Sequence, residues 1–169
     1  FFRGDNFGVF SGAFAKPLQT LSDKTLYQMQ HDSRVIYLEK VLNEYFEVMV
    51  STITRNKGTV NKFIGDAIMA MWGAPNSTGN DEANATMAAL EMRVELNALN
   101  DRRIARGKGP IKIGAGLHCG PAIAGTIGST SRMEYTIIGD TVNMASRIEA
   151  STKAFGADLL LSHEMYEKV

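Results

Sequence analysis

The 169-residue chain has a single cysteine, Cys119, which excludes an internal disulfide and leans toward a reducing compartment. It has no apolar run near the ~20 residues that a bilayer-spanning helix needs. It has no net charge either: 18 Lys+Arg stand against 18 Asp+Glu. The electrostatic footprint of a nucleic-acid binder or a polybasic membrane binder is therefore missing. Phe1-Phe2-Arg3-Gly4-Asp5 lacks both the charged and the apolar region of a signal peptide. The opening on Phe1 reads as a piece of a longer protein, a cytoplasmic domain whose parent can still be membrane-anchored. Hydrophobic content of 44% and charged content of 21% describe a folded globular unit, read as one domain over residues 1–169.

The most informative stretch is a hairpin. Thr59-Val60-Asn61-Lys62-Phe63 and Ala67-Ile68-Met69-Ala70-Met71 have the composition of two buried strands, and Gly65-Asp66 sits where they reverse. Glycine supplies the positive φ such a turn needs. A carboxylate at the tip and a lysine four residues before it are not what packing alone selects. Converging charge of this kind marks a candidate site; the plain alternative is a polar turn.

Around the hairpin the pattern alternates helix and strand. Val35, Leu38, Val41, Leu42, Tyr45, Phe46, Met49, Val50 and Ile53 recur at helical steps, and Gly58 is expected to end that helix in the left-handed region. After a turn-rich loop, Asn80 or Asp81 caps a second helix whose inner face is expected at Ala83, Met87, Leu90, Val94 and Leu99. Arg102 to Pro110 reads as a solvated basic connection. Ile111–His118 reads as a strand with Pro121–Ile127 as its partner. Met133–Ile138, a helix over Thr141–Ala150, a strand over Asp158–Leu161 and a helix capped by Ser162 complete the order. The fold expected is α+β, a ferredoxin-like sandwich with a mostly antiparallel sheet and helices on one face.

Four ordered stretches carry a resemblance: Leu42-Asn43-Glu44-Tyr45-Phe46, Gly58 to Asp66, His118-Cys119-Gly120-Pro121 with Gly125, and Tyr135 to Arg147. Together they resemble the catalytic domain of class III nucleotidyl cyclases, most nearly bacterial adenylyl cyclases. The resemblance implies attack of the ribose 3′-oxygen of ATP on its own α-phosphate, giving cyclic AMP and pyrophosphate. It implies two Mg2+ or Mn2+ ions per site, for which Asp66 matches one bridging carboxylate. Lys62 falls at the purine-reading position, where a donor suits adenine N1. Thr136 falls at the second purine position, which is threonine in a bacterial group. Asn143 is implied to orient the ribose and Arg147 to stabilise charge on the phosphates. The two are spaced i, i+4 on one helical face. Partners implied are ATP, a second copy in a head-to-tail homodimer, and an upstream sensor or regulatory domain of the parent chain, with no nucleic acid.

The chain departs from that pattern in two places. Residues 1–33 match poorly, so the first metal aspartate falls at Asp5 in one register. In the other, which aligns Leu21-Ser22-Asp23, Phe14 stands at its position. A C-terminal hairpin expected after Val169 is also missing. Guanylyl cyclisation, or a catalytically silent cyclase-like nucleotide-binding or dimerisation module, is the alternative reading. His118 beside Cys119 lacks the partners of a zinc site, and Asp140 reads as a structural turn residue.

Overall fold

The computed structural model describes residues 9–15 and 31–169. In order, the elements are β1 (Val9–Ala15), α1 (His31–Arg55), β2 (Thr59–Ile64), β3 (Ala67–Trp72), α2 (Asp81–Ala105), β4 (Ile113–Cys119), β5 (Ile123–Ser129), β6 (Arg132–Ile138), α3 (Asp140–Phe155), β7 (Leu159–Leu161) and α4 (His163–Tyr166). Five strands form one sheet in the order β2-β3-β1-β4-β7, and β5-β6 form a separate ribbon. The run β2-β3-β1-β4 is fully antiparallel and is the strand order of a split βαβ fold; β7 adds to β4 in parallel. The α+β class and the mostly antiparallel sheet are as expected.

Alternation along the central strands divides the sheet into two faces. Ile68, Ala70 and Trp72 of β3, with Ala115, Leu117 and Cys119 of β4, pack against α1 and α2. Met69 and Met71 face the other way, onto Ala145 of α3. The two long helices therefore share one face, and α3 covers the opposite one, which a helices-on-one-face arrangement does not include. Glycine makes that second contact close. A Cβ on Gly116 would fall 2.7 Å from the Ala145 carbonyl oxygen, and one on Gly120 would fall 2.9 Å from Thr141 Oγ1.

In α1 the stripe Val41, Tyr45, Met49 and Ile53 is buried, as its periodicity predicts. α2 is rotated from expectation. Its buried face is Ala85, Ala88, Ala89, Met92, Leu96 and Leu99, while Met87, Leu90 and Val94 are exposed. Large side chains of α1 meet small ones of α2, and the alanines allow the approach. α2 also runs on through Arg102 and Arg103. Arg103 is not solvated: it is 1% exposed, lies 3.2 Å from Glu44 and donates to the Gly109 carbonyl at 3.1 Å.

Three further expectations are corrected. β4 does not pair with β5. Its two edges are taken by β1 and β7, so β5 pairs with β6 instead. Of the two hairpin strands only β3 is buried throughout; β2 is the half-exposed edge of the sheet. The left-handed residue after α1 is Lys57, at φ 63°, not Gly58. Gly58 is needed for a different reason, because a Cβ there would fall 2.6 Å from Trp72 Cε2. The readings at Asp5 and at Leu21-Ser22-Asp23 lie outside the described residues.

Candidate active site

Gly65, at φ 64°, turns β2 into β3 and leaves Asp66 at the tip, part-exposed. No hydrogen bond or ion pair holds the Asp66 carboxylate among the described residues. Beneath it lies Tyr45, fully buried, whose hydroxyl has no hydrogen-bond partner among them either. Burial first, and the Asp66 charge second, push this phenol well above its ordinary range, so it stays protonated. Antiparallel pairing puts Phe14 opposite Ala67, making Phe14–Ala15 the end of β1 beside Asp66. β1 carries no carboxylate. Asp5 precedes β1 and lies outside the described residues, and among the described residues no three His, Cys, Asp or Glu side chains form a metal-sized cluster.

Five residues before Asp66, β2 contains a bulge. Val60 pairs with Ala70 and Lys62 with Met69, which leaves Asn61 as an extra residue. A bulge bends the strand and re-aims side chains. Here both Asn61 and Lys62 reach β6. Lys62 Nζ lies 3.3 Å from Glu134 Oε1. Asn61 Nδ2 donates to the Tyr135 carbonyl at 3.1 Å, and the Thr136 hydroxyl donates to Asn61 Oδ1 at 3.2 Å. Lys62 and Thr136, which lie far apart in sequence, are thus joined through neighbours at one place. Asn61 and Glu134 were not singled out by sequence reading. Glu134 was accessible from the two-residue alternation that places it on the same face of β6 as Thr136; the bulge at Asn61 left no such signal.

On α3, Thr141, Ala145 and Thr152 face the sheet, so Asn143 and Arg147 are carried together on the exposed side. Arg147 makes no ion pair among the described residues, unlike Arg55, Arg93, Arg103 and Arg106. Asp66 has no hydrogen bond or ion pair to Lys62, Asn143 or Arg147.

His118 has a structural role. Its Nδ1 lies 2.8 Å from Ser162 Oγ and 3.7 Å from Glu164. Burial lowers its pKa against the opposing pull of Glu164 and Asp140. Cys119 is buried, and burial raises its thiol. A groove of about 1270 Å³ between α2, β4 and α3, lined by residues such as Arg93, Asn97, Lys112 and Asp158, contains none of the candidate residues. Among the described residues no helix is long and apolar enough to cross a membrane.

The family model for the adenylate and guanylate cyclase catalytic domain matches residues 21–167, a span that begins after Asp5. Adenylate cyclase 1 of Rhizobium meliloti (strain 1021) is 36% identical over 122 residues, 72% of this chain. The matched region spans only 18% of that relative's length. Two solved structures superpose equally well, the adenylyl cyclase CyaB from P. aeruginosa and the guanylyl cyclase Cya2. Each has 27% identity and a TM-score of 0.79 over 96% of this chain, covering 79% and 77% of theirs. The fold does not separate the two substrate classes, but with the ordered motifs it settles the lineage: the chain belongs to the adenylate and guanylate cyclase catalytic domain family.

Proposed function

We propose that this domain converts ATP to 3′,5′-cyclic AMP and pyrophosphate. The observation that carries the reading is the convergence of Lys62 and Thr136 at the contact of β2 with β6. An ammonium only donates, and adenine N1 accepts, whereas guanine N1 carries a hydrogen and would face a second donor. Lys62 is paired with Glu134 in the free domain, at side-chain exposures of 29% and 49%. A half-exposed pair of this kind contributes about 0–1 kcal/mol, so Lys62 can turn to a base at little cost.

The remaining roles are those the family resemblance implies, and the chemistry of the residues fits them. Arg147, exposed and unpaired among the described residues, offers a fixed fork of donors to oxygens that gain charge in the transition state. Asn143, one turn earlier, orients the ribose. The unpartnered carboxylate of Asp66 fits a hard ion, Mg2+ or Mn2+, which takes one or two carboxylates together with substrate phosphates. Two such ions, when bound, lower the pKa of the attacking hydroxyl and neutralise the leaving phosphates. The resemblance offers Asp5 for the second carboxylate, but Asp5 precedes the Val9 end of β1, which pairs with Trp72, while Asp66 lies beside the Phe14 end. The site is shared between two copies of the chain arranged head to tail: Asp66 comes from one copy, and Lys62, Thr136, Asn143 and Arg147 come from the other. Exposed Phe63 and Ile64 on β2, with Ile123, Met133 and Ile138 on the β5–β6 ribbon, supply apolar surface for that association. An upstream regulatory domain of the parent chain would set its geometry.

One observation favours a second reading, a catalytically silent nucleotide-binding or dimerisation module: the strand beside Asp66 brings no carboxylate. Incubating the intact protein with ATP or GTP and Mg2+ or Mn2+, and weighing the products, separates the two. Cyclic AMP from ATP is expected. Absence of any cyclic nucleotide at high protein concentration removes the enzyme reading. Lys62→Glu, which exchanges a donor for an acceptor, should lower the ratio of kcat/KM for ATP over GTP by at least about tenfold.

A further inference from the structure

The contact between β2 and β6 does more than bring Thr136 near Lys62; it decides which way the Thr136 hydroxyl points its proton. A threonine hydroxyl is ambivalent, with one hydrogen to donate and lone pairs to accept. Alone at a purine site it could accept from the 6-amino group of adenine or donate to the 6-carbonyl of guanine. The structure removes that choice in three steps. The carbonyl of Tyr135 can only accept, so Asn61 must present its amino group there, at 3.1 Å. The Asn61 carboxamide oxygen is thereby turned to Thr136, and an amide oxygen can only accept. The hydroxyl hydrogen of Thr136 is committed to it at 3.2 Å, and only lone pairs remain for a bound base.

We infer that Asn61 is a specificity-determining positioning residue, which makes the Thr136 hydroxyl an acceptor and so favours a 6-aminopurine over a 6-oxopurine. Asn61 acts through Thr136. The bulge is what allows it: as the extra residue between the paired positions Val60 and Lys62, Asn61 reaches β6 alongside Lys62. Lys62 and Thr136 then impose complementary demands, the ammonium requiring an acceptor on the base and the oriented hydroxyl requiring a donor. Adenine meets both. The inference rests on the ATP reading of this site.

Its test compares kcat/KM for ATP, inosine triphosphate and purine riboside triphosphate, which lacks a 6-substituent, in the intact protein. Asn61→Ala frees the hydroxyl to rotate. The ATP-to-inosine-triphosphate ratio should then fall by about tenfold, chiefly through a gain with inosine triphosphate. Purine riboside triphosphate should change by no more than about twofold. Asn61→Asp keeps an acceptor facing Thr136 and should keep the ratio. Thr136→Val should lower the ratio as Asn61→Ala does, and the double variant should be no worse than either single one. If Asn61→Ala does not fold, Asn61→Ser, too short to accept from Thr136, carries the same expectation. An unchanged ratio in Asn61→Ala, an equal loss with all three triphosphates, or additive losses in the double variant would each overturn the role of Asn61 while leaving ATP cyclisation intact. A wild-type protein that cyclises none of the triphosphates overturns the ATP reading, and this inference with it.

Discussion

Among the candidate residues, Asp66 and Arg147 are tied into the fold by no side-chain hydrogen bond or ion pair among the described residues. Asp66 is on a turn tip without a hydrogen bond among the described residues, and Arg147 projects from the outer side of α3 without an ion pair among them. Replacing either should therefore leave stability within about 0.5 kcal/mol, as for other surface positions. Catalysis should respond strongly. Asp66→Ala is expected to abolish turnover, and Arg147→Ala to lower kcat about 100-fold with KM little changed. Steady-state rates alongside thermal unfolding check both. Lys62 and Asp66 were legible in the sequence because charge in an apolar hairpin stands out against its surroundings. Asn61 was not, because nothing in Val60-Asn61-Lys62 distinguishes a bulged strand from a regular one; only pairing with Ala70 and Met69 reveals the extra residue.

At the scale of elements, the start of α2 depends on one carboxylate. Asp81 is 4% exposed and accepts from the Ser77 hydroxyl, from the Thr78 N–H at 3.1 Å and from the Thr78 hydroxyl at 2.8 Å. Burial alone would raise its pKa, but these bonds outweigh burial and hold it below the usual carboxylate range. A depressed carboxyl stabilises the fold fully above the unfolded value near ~4, and less as pH falls through the folded value. Asp81→Ala should cost about 2 kcal/mol at neutral pH, and the difference from wild type should shrink in acid, read from urea unfolding at both conditions. Packing of α3 on β4 has a sharper dependence. Gly116→Ala places a methyl against the Glu149 N–H and 2.7 Å from the Ala145 carbonyl, backbone atoms that cannot step aside. A loss of about 3 kcal/mol is expected by the same measurement. Elements with a single apolar stripe, such as α1, could be read from spacing. α2 could not, because it carries two: the alanine face that packs and the Met87, Leu90 and Val94 face that does not. The pairing of β5 with β6 rather than β4 was illegible for a related reason, since both edges of β4 are claimed by strands distant in sequence.

The molecule as a whole leaves its described candidate residues exposed or half-exposed. Lys62 and Thr136 meet where β2 contacts β6, Asn143 and Arg147 are on α3, and Asp66 is on the far tip of the hairpin without a bond to any of them. Such a distribution suits a site completed by a second copy, with exposed Phe63, Ile123 and Met133 available for the contact. Family motifs could announce the residues but not this arrangement, which depends on how one chain meets another. Under the proposed function, ATP is cyclised at a site to which one copy gives Asp66 and the other gives Arg147. Mixing equal amounts of the Asp66→Ala and Arg147→Ala proteins tests it most directly. Half of the randomly formed dimers pair unlike chains, and each of these has one intact site, so about a quarter of wild-type cyclic AMP formation should return. A mixture as inactive as its components would contradict the shared site.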